Sequence, residues 1–155
     1  MKIRKIVKKD FDKFVELMVE ADNRPKDWAK EKTAEFIGKK NKLILVAEEK
    51  GKLIGYVGLK ERDEDERIKK VDFDKYASVT WIAVLPEFRG KSIGSKLLKS
   101  CEKYAKKWGK KGIWLDCRKE VLKFYKRNEY KVVSSFIKEV KTKKRKQYVL
   151  LKKIR

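Results

Sequence analysis

Apolar and polar residues repeat along this chain with two periods, one typical of strands and one typical of helices. Alternating or continuous apolar runs predict strands near 1–7, 43–47, 53–59, 78–85, 113–117, 130–140 and 146–154. Apolar residues at helical spacing predict helices after Asp10, after Pro25, after Gly94 and from Val121. The order β-α-α-β-β-β-α-β-α-β-β indicates an α/β fold with a single mixed, mostly antiparallel sheet and helices on both faces.

Three segments between these elements have a distinct composition. Asp10 stands directly before an apolar helical face and is therefore predicted to be its N-cap. Residues 60–75 are almost wholly charged, which predicts a mobile loop with little to bury. The last two strands are expected to be joined by the cationic turn 141–144. No repeat or Pro/Ser-rich linker divides the chain, so residues 1–155 are expected to form a single domain.

Charge and residue usage limit the chemistry. Lys and Arg number 45 against 23 Asp and Glu, a net charge of +22 that attracts polyanions such as RNA or the phosphates of a nucleotide cofactor. A solvated surface of ion pairs, as on thermophilic proteins, explains the same composition equally well. The chain has no histidine, which excludes Ser-His-Asp and Cys-His catalysis, and no metal site is expected.

The cellular compartment is inferred from the cysteines, the first residues and the length of the apolar runs. Cys101 and Cys117 have neither CxxC spacing nor a histidine beside them, which favours a reduced intracellular pair. The first residues lack the apolar stretch of a secretory signal, and no apolar run approaches the roughly 20 residues of a membrane helix. We therefore expect a cytoplasmic protein without membrane contact.

A basic, glycine-bearing loop joins the fourth predicted strand to the third helix. Free N–H groups and the positive end of a helix dipole converge at such a junction, which suits a phosphate. A Walker A loop would need glycine where Leu85 stands, and a G-x-G-x-x-G fingerprint is absent. From this segment alone, a basic turn without a ligand remains an alternative.

The segment 82–95 (IAVLPEFRGKSIGS) resembles the cofactor motif R/Q-x-x-G-x-G/A of the GNAT superfamily of acyl-CoA N-acyltransferases. Arg89 and Gly94 match its first and last positions, whereas Ser92 replaces the middle glycine. The resemblance implies acetyl-CoA as cosubstrate, held through its pantetheine arm by one strand and through its pyrophosphate by the loop. The implied cofactor-binding residues are Ile82, Ala83 and Val84 on the strand and Arg89, Gly90, Lys91, Ser92, Ile93, Gly94 and Ser95 in the loop.

A second segment, 122–130, resembles the A-x-x-F-Y-x-x-x-G-F run of the same family. Phe124 and Tyr125 match it, whereas Val121, Glu129 and Tyr130 depart from it. The resemblance implies that Tyr125 is the catalytic acid that protonates the departing thiolate. The alternative is that Tyr125 only packs beside Phe124.

The rest of the catalytic apparatus stays open in the sequence. The stretch 78–81 (SVTW) offers no carboxylate as a general base, so the candidates are Glu61, Asp72, Asp74 or a water chain. Cys117 is either a nucleophile or, by preference, a buried structural thiol.

The function these features favour is an N-acetyltransferase that moves acetyl directly from acetyl-CoA to a primary amine in a ternary complex. The acceptor is a small molecule or a protein. The alternatives are a catalytically degenerate CoA-binding protein and an RNA-associated basic protein, the latter favoured by the cationic run 141–146 (KTKKRK). Polyanion contact through the basic surface and a homodimer are both left open.

Overall fold

The computed structural model describes all 155 residues and contains every predicted element in the predicted order. Short 3-10 helices lie before α1, after β4 and before α4. The strands and α-helices are β1 (Lys2–Lys5), α1 (Phe11–Asp22), α2 (Lys26–Phe36), β2 (Lys42–Glu49), β3 (Lys52–Lys60), β4 (Tyr76–Val84), α3 (Ile93–Lys107), β5 (Gly112–Cys117), α4 (Leu122–Arg127), β6 (Lys131–Val140) and β7 (Lys143–Lys153).

The seven strands follow the order β1-β2-β3-β4-β5-β7-β6 in one open sheet, and the four helices flank it. The pairs β1–β2, β2–β3, β5–β7 and β6–β7 are antiparallel, whereas β4 and β5 are parallel. The predicted mixed α/β sheet is thus confirmed. None of the helices is long and apolar enough to cross a bilayer.

The chain divides into two compact units. The first comprises Met1–Lys60 and Val79–Cys101, and the second comprises Glu61–Ser78 and Glu102–Arg155. Large, fully buried side chains fill the first unit, among them Phe14, Met18, Phe36, Ile44, Leu45, Ile54, Tyr56, Leu59 and Leu97.

Within the first unit, two glycines let β3 approach its neighbours closely. A Cβ at Gly58 would lie 2.6 Å from ring atom Cε3 of Trp81, and one at Gly55 would lie 3.2 Å from the carbonyl oxygen of Ala83. The Trp81 ring thereby packs at 4.5 Å from the Phe36 ring, measured between centroids. A side chain at Gly58 would displace this ring, because close-packed interiors leave no room for an added methyl group.

The second unit corrects the prediction for the charged segment. Residues 61–75 have no regular secondary structure, as expected of a loop, but the expectation of little to bury is wrong. Ile68 is 6% exposed and packs with Trp114 and Val149. The Arg67 guanidinium also lies 4.8 Å from the centre of the Phe136 ring. Ile68, Val71 and Phe73 are few among many charged residues, but they are sufficient to anchor the segment to the sheet.

The predicted turn 141–144 is also wrong in extent. Val140 pairs with Lys143, so the turn is Lys141-Thr142 and β7 begins at Lys143. Lys141 takes a left-handed backbone conformation with φ 58°. The ladder extends through cationic residues because their side chains stay exposed and do not oppose backbone pairing.

Asp10 has a different role from the one predicted. It directly precedes α1, but its carboxylate makes no capping bond to that helix. It accepts instead from the backbone N–H of Val7 at 2.8 Å and from the Arg4 guanidinium at 2.8 and 3.0 Å. Glu48 shares the same guanidinium at 3.3 Å. The carboxylate thus ties β1 to the start of α1.

Replacing Asp10 by Asn should lower the free energy of unfolding near pH 7 by about 2 kcal/mol. Loss of one partner of a buried ion pair costs roughly 3–5 kcal/mol, and Glu48 still neutralises Arg4. The hydrogen bond from Arg4 lowers the pKa of Asp10, against an opposing effect of burial. This stabilisation is therefore complete above the ordinary carboxyl pKa of about 4 and is lost as pH falls through the lowered value of the folded state.

Urea unfolding of both proteins at neutral and acid pH measures this difference. It should shrink on acidification, and a difference that does not change with pH would contradict the assignment. Asp12→Asn, an exposed acid in the first turn of α1, is the matched control. It should change the unfolding free energy by less than about 0.5 kcal/mol.

Candidate cofactor site and catalytic residues

The loop predicted to hold the cofactor lies in the first unit, between β4 and α3. Pro86–Phe88 form a 3-10 turn, in which the N–H of Arg89 donates to the carbonyl of Pro86 at 3.2 Å. Two left-handed residues then turn the chain into the helix, Gly90 with φ 79° and Ser92 with φ 63°. A Cβ on Gly90 would meet no atom within 4 Å, so the loop is open at that point.

The start of α3 presents free amides. The first helical hydrogen bond there runs from the N–H of Lys96 to the carbonyl of Ser92 at 3.1 Å. The amides of Ile93, Gly94 and Ser95 precede it and have no carbonyl one turn earlier in the helix. They lie at the positive end of the helix dipole, so the site suits an anionic group.

Ser92 explains why the motif it resembles has glycine at this position. The left-handed conformation is free of strain for glycine, whereas an L side chain costs about 1–2 kcal/mol there. Ser92 takes this left-handed conformation, with φ 63°, and it retains its backbone N–H. The departure from the motif therefore adds local strain and leaves the backbone N–H in place.

Arg89 makes contacts that the sequence did not predict. Its Nε donates to the carbonyl of Val84 at 3.0 Å, and its Nη2 donates to the carbonyl of Ala21 at 3.1 Å. The guanidinium therefore joins the end of β4 to the last turn of α1. The Arg89 side chain therefore positions the loop, and the positive charge of its guanidinium lies next to the loop.

The strand segment predicted to hold the pantetheine arm is the end of β4. The parallel ladder with β5 comprises Tyr76, Ala77 and Ser78, whereas β4 itself continues to Val84. Ile82, Ala83 and Val84 are half-buried. The ladder with β5 therefore does not engage these three residues, and the carbonyl of Val84 accepts from Arg89 instead.

In the second unit, Tyr125 lies on α4 in an aromatic cluster. It is 7% exposed, and its ring centroid lies 5.0 Å from that of Phe124 and 6.0 Å from that of Tyr130. Burial, followed by the charges of Cys117 and Asp116, raises the pKa of Tyr125 well above its ordinary value. The phenol stays protonated at neutral pH, as a proton donor must.

Cys117 lies at the end of β5 and is 6% exposed. Burial first, and then the charge of Asp116, raises the pKa of Cys117 to about 11. Since the thiolate and not the thiol is the nucleophile, this environment favours a structural thiol.

Two of the three candidate general bases have structural partners in the 61–75 segment. Asp72 accepts from the backbone N–H of Asp74 at 3.1 Å. Asp74 accepts from Nε of Arg62 at 3.0 Å. Glu61 is half-buried at the start of the segment. The role of these carboxylates as a base stays a prediction.

Sequence reasoning missed one polar pair, Asp116 on β5 and Gln147 on β7. Nε2 of Gln147, a residue that is 6% exposed, donates to Oδ2 of Asp116 at 2.9 Å. One signal for this pair was present in the sequence: side chains alternate along a strand, so Asp116 lies on the face opposite Leu115 and Cys117. A buried glutamine among apolar β7 residues could not be recognised before the register was known.

The open mixed α/β sheet, with a helix that starts in a basic loop after β4, is the fold of acyl-CoA N-acyltransferases. The profile of the Acetyltransferase (GNAT) family matches residues 5–130, and the chain belongs to that family. An uncharacterised N-acetyltransferase of Methanocaldococcus jannaschii is 30% identical over 152 residues, which cover 90% of this chain. The match spans 66% of that relative, slightly less than two thirds of its length.

Solved structures share the fold. An aminoglycoside 6'-N-acetyltransferase complexed with coenzyme A superposes with a TM-score of 0.79 at 16% identity, covering 99% of this chain and 97% of that one. A streptothricin acetyltransferase of Bacillus anthracis, described as putative and in complex with acetyl coenzyme A, gives 0.76 at 19% identity, covering 99% and 98%. At these identities the likeness concerns the fold.

Proposed function

We propose that this protein is an N-acetyltransferase that moves acetyl from acetyl-CoA to a primary amine by direct transfer in a ternary complex. The observation that carries the proposal is the β4–α3 junction, where the amides of Ile93, Gly94 and Ser95 are free of helical partners. A pyrophosphate is the ligand for which such a junction is suited. Two of the structural neighbours are described as complexes with coenzyme A or acetyl coenzyme A.

The proposed cofactor contacts follow from this geometry. Free amides of the loop and of the first turn of α3 bind the pyrophosphate. The pantetheine arm binds along Ile82, Ala83 and Val84, through backbone groups that the ladder with β5 does not engage. The net charge of +22 favours the approach of a cosubstrate that carries several phosphate charges.

In the proposed reaction a neutral amine attacks the thioester carbonyl carbon. A C–N bond forms, the C–S bond breaks, and the nitrogen loses a proton to a base, for which Glu61, Asp72, Asp74 and a water chain remain the candidates. The departing thiolate takes the phenolic proton of Tyr125, which is replaced from solvent after release of the products. Direct transfer is supported by Cys117, whose protonated thiol is a poor acceptor of acetyl.

The RNA-associated alternative has one observation in its favour. Residues 141–146 are all exposed and, apart from Thr142, all cationic.

We propose the cytoplasm as the site of action, because the two cysteines favour a reduced pair and the first residues lack the apolar stretch of a secretory signal.

Calorimetric titration with CoA and acetyl-CoA, followed by mass spectrometry of acetyl transfer to a panel of primary amines, tests the proposal. Saturable binding of acetyl-CoA and transfer to at least one amine are expected. Binding without transfer to any amine would favour the degenerate CoA-binding protein. Binding of a poly(U) probe, with no heat from either thioester or thiol at millimolar concentration, would favour the RNA-associated protein.

A further inference from the structure

The second unit ends in a long strand edge that has no neighbour. β6 is the last strand in the sheet order and has ten residues, Lys131–Val140. Its register with β7 shifts between Val132 and Ser134 and is regular from there to Val140. Opposite residues of an antiparallel pair alternate between bonded and non-bonded pairs, so every second residue of 134–140 directs its N–H and C=O away from β7. These groups can pair with a further strand.

Exposed apolar side chains are concentrated on the same strand. Three of the five large apolar residues that are exposed in this chain lie on β6, namely Val132, Ile137 and Val140, and Ile137 is 57% exposed. Edge strands that avoid pairing usually carry charges of their own. Within 134–140 the charged residues are only Lys138 and Glu139, one of each sign. The edge itself is therefore open to a partner strand.

One face of the β6–β7 hairpin is cationic. Lys138 lies opposite Arg145, and Lys143 lies on the same face as Arg145 because side chains alternate along a strand. None of these three cations forms an ion pair within the chain. The pKa of Asp65 is lowered first by its hydrogen bond from Arg67 and only last by the charge of Lys138, so that acid is already paired. This face therefore lacks negative charge.

The other face offers an apolar contact at the edge. Ile137 lies there, opposite Lys146, whose ammonium is 5.2 Å from the centre of the Tyr148 ring. Lys144 on the same face has Glu139 at 3.9 Å. The cations of this face thus have partners in the chain, whereas the side chain of Ile137 is left in solvent.

We propose that β6 binds an extended segment of a partner protein in which acidic and aliphatic side chains alternate, and that this segment adds to the sheet as an eighth strand. Alternation places its acids on the face of Lys138, Lys143 and Arg145 and its aliphatic side chains beside Ile137. Strands lie about 4.8 Å apart, so the β7 cations are about 10 Å from the added strand, within reach of long side chains. Main-chain hydrogen bonds supply affinity, and the side-chain pattern supplies specificity.

Two other occupants fit this edge less well. A second copy that paired through its own β6 would bring one acid, Glu139, which is already paired. RNA would find cations but no exposed ring of the hairpin on which a base could stack. Lys146 lies over the half-buried Tyr148. Arg67 lies over the half-buried Phe136.

Chemical-shift titration of the full chain, without acetyl-CoA, tests the proposal independently of acetyl transfer. The probe is an acetylated octapeptide that alternates valine with glutamate. One control peptide has lysine in place of glutamate, and a second has the glutamate sequence with all backbone amides N-methylated. The glutamate peptide should bind saturably with its largest shifts at β6 amides, the N-methylated peptide at least about tenfold more weakly, and the lysine peptide not at all. Absence of saturable binding, or equal binding of the N-methylated peptide, would overturn the proposal.

Neutralising variants identify the cations. Lys143→Gln with Arg145→Gln should weaken binding of the glutamate peptide by about fivefold, and should barely change the melting temperature because both side chains are exposed. Lys126→Gln with Arg127→Gln is the matched control, since it removes the same two charges from the exposed last turn of α4. It should leave peptide binding nearly unchanged. Equal losses in the two double variants would indicate a response to net charge alone and would overturn the site.

Reversing the charges tests the chosen face. Lys138→Glu, Lys143→Glu and Arg145→Glu together should make the folded chain prefer the lysine peptide, a reversal that a purely structural effect would not produce. A retained preference for the glutamate peptide contradicts the proposal.

The other occupants give distinct results. Ile137→Asp should weaken binding of the glutamate peptide by about fivefold and leave the sedimentation coefficient unchanged. A wild-type dimer that dissociates in this variant would assign the edge to a second copy instead. Poly(U) that displaces the glutamate peptide and binds more tightly would assign the cations to RNA. Either result would overturn the proposal.

Discussion

Tyr125→Phe should lower kcat for acetyl transfer by about a hundredfold and leave acetyl-CoA affinity within about twofold of wild type. The phenol is buried and its pKa is raised, so it carries its proton throughout the neutral range. Phenylalanine keeps the ring contacts with Phe124 and Tyr130 and removes only the donor. The variant therefore separates chemistry from packing.

Steady-state kinetics and calorimetry on the same preparations measure the two effects. Tyr130→Phe is the matched control, since it removes a phenol from the same aromatic cluster and should leave kcat nearly unchanged. The wild-type pH profile should show no loss of activity from ionisation of Tyr125 at or below the ordinary tyrosine pKa of about 10. Turnover by Tyr125→Phe at the wild-type rate would assign the residue to packing alone.

Arg89→Glu should weaken acetyl-CoA binding by about a hundredfold. The substitution removes two charge-assisted hydrogen bonds to the carbonyls of Val84 and Ala21. It also places a negative charge beside the proposed pyrophosphate site. A combined effect of about 2.7 kcal/mol corresponds to this factor, and hydrogen bonds to charged groups contribute about 1.5–3 kcal/mol each.

Two further variants separate position from charge. Arg89→Lys keeps the charge but cannot bridge two carbonyls with a planar fork, so an intermediate affinity indicates the positioning role. Ser92→Gly removes the side chain from a left-handed position and should bind acetyl-CoA at least as well as wild type. Calorimetry gives the affinities, and thermal melting confirms that each variant is folded. Wild-type affinity in Arg89→Glu would contradict the proposed site.

The local elements were predictable because each depends on near neighbours in sequence. The apolar stripe of α3 and the hairpin around Gly51 follow from periodicity and turn chemistry. Element order, and with it the fold class, could therefore be predicted. The 61–75 segment failed because three apolar residues among many charges give no period, although Ile68 finds a buried place against Trp114.

The candidate site was predictable only in part, for the same reason. The loop 89–95 lies within one stretch of chain, so its residues could be predicted together. The contact of Arg89 with Ala21 spans 68 residues, and that of Gln147 with Asp116 spans 31. No local pattern encodes such pairs.

The sequence by itself determined the order of strands and helices, the absence of histidine and the basic, glycine-bearing loop before α3, because these depend on residue type and spacing. The tertiary structure alone decided that Arg89 positions the loop, that Asp10 pairs with Arg4 and that Gln147 keeps an unsatisfied oxygen beside Asp116. Those properties arise when side chains from different elements pack together and exclude water, and burial then sets which polar atoms have partners.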